Sequence, residues 1–134
     1  MGSYVRVRLA GEAYAMPVEH VLEAADLGYV RAVPGARPEL LGVKSVRGQI
    51  LPVVDLARML GVPRTGPPGR LLVAEALGFR VGFAIDEVTG IGELGEPNED
   101  TESGVLAGAT LSDGELVGFV DVLQVFESLD GTRR

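Results

Sequence analysis

The chain has 134 residues, a net charge of −7, one histidine and no cysteine. That length holds one ordinary domain or two very small ones sharing their packing, and the missing thiols exclude disulfides and thiolate metal sites. The acidity argues against nucleic acid or an anionic membrane surface as partner, and no apolar run approaches the ~20 residues of a membrane helix.

Met1-Gly2-Ser3 leads straight into a strand rather than a signal peptide, so a cytoplasmic location is expected. Val5 to Leu9 alternates apolar and polar residues, the mark of a half-buried strand. Gly11 turns the chain and Ala13 to Met16 returns as a second strand. Pro17 suits a helix start, and Val18, Val21, Leu22 and Ala25 keep helical spacing over 17–25. Leu27 to Val33 reads as a strand, and Pro34 to Pro38 as a loop. Gly42 to Gly61 forms a strand, a tight turn at Arg47-Gly48, a second strand and a short helix. Asp55 is the natural N-cap of that helix. Pro52 lacks an amide hydrogen, which predicts an edge or bulge position. Residues 64–69, rich in Pro and Gly, form a linker.

Beyond the linker, strands are expected at Leu71–Ala76, Arg80–Ile85, Asp86 to Leu94, Val105–Leu111 and Leu116–Val120. Asp113-Gly114 is a hairpin signal. Residues 93–102 carry five acids and no base, a solvated loop without the ligand spacing of a calcium site. Asp121 caps a last helix whose buried stripe is Val122, Val125, Phe126 and Leu129, and 131–134 form a fraying tail. The turn density points to an all-β fold.

The unit at 47–60 recurs without gaps at 113–126: Gly48 meets Gly114, Val54 meets Val120 and Asp55 meets Asp121, with Gly42 on Gly108 further back. Residues 10–21 lie on 77–88, one residue out of step with that offset. The inference is two tandem β units, about 1–66 and 67–134, each fitting a small closed barrel. Their charges differ: eight basic against six acidic residues in the first, four against thirteen in the second. Arg47 is not repeated, because Asp113 stands in its place.

The run Gly42-Val-Lys-Ser-Val-Arg-Gly-Gln-Ile-Leu-Pro-Val-Val-Asp-Leu56 resembles the signature of the CheW domain, the coupling module of bacterial chemotaxis arrays. Val81-Gly-Phe-Ala-Ile-Asp-Glu-Val88 and Leu106-Ala-Gly108 resemble its second-half motifs. The resemblance covers nearly the whole chain, 1–134 as one such domain. It implies two five-stranded SH3-like barrels around a shared core, with short helices including a C-terminal one. It also implies a strand through Val21 to Ala25, with helix confined to 17–20. With no room for a kinase or receiver domain, the stand-alone coupling protein is expected. Its partners would be the cytoplasmic tip of a chemoreceptor and the regulatory domain of the histidine kinase CheA, at membrane-associated arrays. Arg47 matches the arginine associated with receptor binding, Gly42 a glycine of the same region, and Val21 and Glu23 positions near that surface. Val43 and Val46 are expected beside a receptor hairpin lying in the groove between the barrels.

Catalysis is not expected. His20 is alone, Ser45 and Ser112 lie near turns outside any nucleophile elbow, and no phosphate-binding Gly-rich loop is present. No metal or cofactor is implied. The rival readings are the same adaptor in a pilus-motility or developmental pathway, and a barrel that binds a small molecule in its groove.

Overall fold

Residues 2–64, 66–98 and 105–130 are described in the computed structural model of the chain. Ten strands run in order: β1 Gly2–Leu9, β2 Glu12–Pro17, β3 Val21–Asp26, β4 Leu40–Val46, β5 Gln49–Asp55, β6 Arg70–Ala76, β7 Phe79–Ile85, β8 Glu87–Leu94, β9 Leu106–Ser112 and β10 Glu115–Val120. A 3-10 turn at Val18–His20 precedes β3. Helix α1, Leu56–Met59, follows β5, and helix α2, Val122–Asp130, follows β10.

Four hairpins are closed the same way. Ala10-Gly11, Arg47-Gly48, Leu77-Gly78 and Asp113-Gly114 each place two successive residues at positive φ. That is the turn whose twist matches the flanking strands. The side chain of Asp55 accepts from the Arg58 amide at 3.3 Å, and that of Asp121 from the Gln124 amide at 3.0 Å, so both expected caps form.

The ten strands make two five-stranded sheets, ordered β8-β1-β2-β10-β9 and β3-β6-β7-β5-β4. The fold is mainly β with the SH3-like two-unit architecture expected. The sheets do not divide the chain at residue 66, however. Each half lends strands to the other's sheet, through β8, β9 and β10 on one side and β3, β4 and β5 on the other. The exchange is symmetric: β10 runs parallel to β2 with Phe119 beside Ala15, and β5 runs parallel to β7 with Val53 beside Gly82.

Leu9, Met16, Leu72, Phe83, Ile85, Val120, Val125 and Phe126 form the core shared between the sheets. Phe83 and Phe126 meet edge-to-face at 6.1 Å. The outer faces hold smaller clusters, Leu51, Val53, Leu71, Val73 and Ala84 in one sheet and Ala13, Ala15, Val117 and Phe119 in the other. Strands buried on both faces lose their alternation, which is why β5, β6 and β7 read as near-continuous apolar runs.

Three expectations change. Leu27–Val33 is not a strand. Gly28 at positive φ and a bond from the Leu27 amide to the Gly69 carbonyl turn the chain away from β3, and only Arg31 pairs, with Val43. Pro52 lies inside the sheet rather than at an edge. The parallel β5–β7 ladder begins at Val53, so its missing amide interrupts no bond there. Among the described residues no ladder closes either sheet into a barrel; the edge strands β3 and β4 are joined by the 27–31 strap and by side chains. The acidic stretch from 99 to 102 and the tail at 131–134 lie outside the described residues.

Candidate functional site

Arg47 occupies the first position of the β4–β5 turn, at φ 50, a conformation that costs a branched or long side chain more than Gly or Asn. Its side chain is 79% exposed, and its Nε donates to Glu23 Oε2 at 2.7 Å. Glu23 belongs to β3, the far edge of the same sheet. The pair therefore clasps two edges that no ladder joins. The hydrogen bond, and then the charge, of Glu23 hold the Arg47 pKa above its ordinary value. The bond uses Nε; the two terminal nitrogens carry the guanidinium's other four donors.

The remaining expected residues separate by role. Gly42 is buried at φ 150, and a Cβ there would collide with the Arg31 carbonyl. It makes room for the strap, which bonds β4 through Arg31 N to Val43 O at 2.9 Å and Val43 N to Arg31 O at 2.8 Å. Gly108 repeats this, with a Cβ meeting the Asn98 carbonyl at 2.7 Å. Val21 pairs with Ala74 and packs against the shared core. Val46 packs against the Leu51–Val53 cluster, on the opposite face from the groove. Val43 does line a groove.

That groove is a cleft of about 410 Å³ formed by Tyr29, Arg31, Val43, Lys44, Ser45 and Ile50. Pairing puts Arg31, Val43 and Pro52 in one cross-strand row and Ser45 and Ile50 in the next, so these side chains leave one face of the sheet. Tyr29 is 80% exposed and Ile50 74%. Lys44 Nζ donates to the Tyr29 carbonyl at 3.3 Å, which fixes the rim. Tyr29, Arg31, Lys44 and Ile50 did not stand out in the sequence. The signal available was the broken repeat, the one that singled out Arg47.

A second cleft, of about 420 Å³, lies in the other sheet over β2, β9 and β10, lined by residues that include Glu12, Tyr14, Ala109, Glu115 and Leu116. Arg8 forks onto Glu115, with Nη2 to Oε1 at 2.8 Å, and the bond holds the Glu115 pKa below the usual carboxylate value. Burial raises that of Tyr14.

His20 Nδ1 lies 3.1 Å from the Glu75 carbonyl, and Asp55 is buried against Arg64. Among the described residues no three His, Asp or Glu side chains gather as metal ligands, and no helix is long and apolar enough to cross a membrane.

Residues 3–130 match the CheW-like domain model. The chain belongs to the CheW-like domain family. Chemotaxis protein CheW of Thermotoga maritima is 30% identical over 119 residues, 84% of this chain and 77% of that protein. Protein FrzA of Myxococcus xanthus is 37% identical over 78 residues, 57% of this chain and 49% of FrzA. Chemotaxis protein CheA of Salmonella typhimurium is 28% identical over 123 residues, 87% of this chain but 18% of CheA. The crystal structure of the scaffolding protein TtCheW from Thermoanaerobacter tengcongensis superposes with a TM-score of 0.77, covering 89% of this chain and 88% of that one. At 21% identity that likeness speaks to the fold. In this CheW-like domain the motif that carried the resemblance is the β4–β5 hairpin, and its arginine is the residue clasped to Glu23.

Proposed function

We propose that the chain is a non-enzymatic adaptor of chemotaxis-type signalling that joins the cytoplasmic tips of chemoreceptors to the histidine kinase CheA. It works in the cytoplasm and is recruited to receptor arrays at the membrane. One observation carries the reading. An exposed arginine is kept in a left-handed turn and oriented by Glu23, at the position expected for receptor contact, while the structurally equivalent turn holds Asp113. Nothing in the frame requires an arginine there, since the second half builds the same hairpin without one. A guanidinium held at one nitrogen presents its remaining donors to carboxylates or helix-end carbonyls. The small-molecule reading gains no such support.

Pull-downs with the CheA regulatory domain and with a receptor cytoplasmic fragment from the same organism test it. The wild-type chain should retain both. Arg47→Ala should keep the kinase domain and lose the receptor fragment. Failure of the wild-type chain to retain either partner would contradict the proposal.

A further inference from the structure

A third cavity, of about 350 Å³, lies at the opposite end of the β4–β5 hairpin from Arg47. Its floor is apolar: Leu40, Pro52, Val54 and Val81 from β4, β5 and β7, with Leu129 of α2 beside them. Elements of both sequence halves thus meet around it, and such seams are where small-molecule sites of this size tend to form. Its wall is the 33–39 loop, built as two consecutive turns. Gly35 takes φ 78 after Pro34, and the Ala36 amide donates to the Val33 carbonyl at 3.2 Å. The Leu40 amide donates to the Arg37 carbonyl at 3.0 Å, and the Asp55 amide to the Glu39 carbonyl at 2.8 Å, which pins the loop to β5. Backbone bonds therefore preform the cavity.

One cation and one anion belong to the lining. Arg37 Nε donates to Glu39 Oε1 at 3.2 Å, an exposed ion pair. That bond occupies Nε, and the terminal nitrogens carry four further donors. The backbone amide of Glu39, and then Arg37, hold the Glu39 carboxyl below the usual carboxylate value, so it stays ionised at neutral pH. We propose that this cavity binds a small zwitterion with an apolar body, a free α-amino acid of leucine or phenylalanine size. Its side chain enters between Pro52, Val81 and Leu129, its carboxylate takes the terminal nitrogens of Arg37, and its ammonium takes Glu39. A simple carboxylate would face Glu39 and a simple amine would face Arg37, so each is disfavoured by a like charge. Opening an exposed ion pair to admit the ligand costs little. Neither Arg47 nor Glu23 takes part, so the site stands apart from the adaptor reading.

Calorimetric titration of the full chain tests the proposal with L-leucine, L-phenylalanine and two truncated analogues, 4-methylpentanoate without the ammonium and 3-methylbutylamine without the carboxylate. Leucine or phenylalanine should bind saturably, and each analogue at least about tenfold more weakly, since one charge-assisted contact is lost. Arg37→Gln should lower leucine to the level of 3-methylbutylamine, and Glu39→Gln to that of 4-methylpentanoate. Ala36→Phe, on the loop wall, should block the cavity and abolish binding while the thermal transition stays unchanged. No saturable binding of either amino acid at millimolar concentration would overturn the inference. So would an analogue that binds as tightly as leucine, equal affinity for glycine, which lacks the apolar body, or binding that survives both Arg37→Gln and Ala36→Phe.

Discussion

Gly42 and Arg47 sit five residues apart in one motif, and their structural logic is opposite. Gly42 is dictated by the backbone: its φ of 150 and the strap carbonyl above it leave no space for a Cβ. Gly42→Ala should lower stability by about 1–3 kcal/mol, the usual cost of a side chain forced into such a conformation, measured by urea denaturation. Gly108→Ala should lose a similar amount, because the same close approach recurs there. Equal stability of the Gly42 variant and the wild-type chain would show that the strap gives way. Arg47 is dictated by no such contact. Its turn tolerates Ala, Leu or Asp in the other three hairpins. Under the proposed function, a receptor defect in a Gly42 variant is therefore expected to act through the displaced strap, and one in an Arg47 variant through the exposed side chain itself.

At the scale of elements, the strands were legible because glycine fills the second position of every hairpin turn and the flanking residues alternate or run apolar. The caps at Asp55 and Asp121 were legible for the same local reason. The pairing across halves was not. Strands β2, β5, β7 and β10 are apolar on both faces, so no alternation names their partners, and β2 meets β10 across most of the chain's length. The candidate site was half legible. Arg47 lies inside a motif, but Tyr29 and Arg31 join Lys44 and Ile50 only when the strap returns along β4. One contact between sheets was also hidden. Arg64, in the linker, bonds buried Asp55 and reaches Asp86 at 3.3 Å; the other oxygen of Asp86 accepts the Ala10 amide at 2.6 Å. That cluster ties the β1–β2 turn of one sheet to the ends of β5 and β7 in the other. Arg64→Met leaves the Asp55 carboxylate buried without its cation and should cost about 3 kcal/mol. Adding Asp55→Asn should restore part of the loss in a double-mutant cycle; strictly additive losses would mean the two side chains are not coupled.

For the whole molecule, strand exchange makes the two units inseparable. Neither half owns a sheet, and the shared core from Leu9 to Phe126 spans both. That continuity suits the proposed bridge, which would transmit geometry rather than chemistry. Its charge is divided accordingly, with a weakly basic first half and a strongly acidic second half. The most direct measurement of the bridging claim is CheA autophosphorylation in a reconstituted mixture of the organism's receptor fragments and kinase. Adding the chain should raise the rate in a concentration-dependent way, and Arg47→Ala should remove that rise. A rate that does not depend on the chain, with both partners shown to be active, would contradict the account.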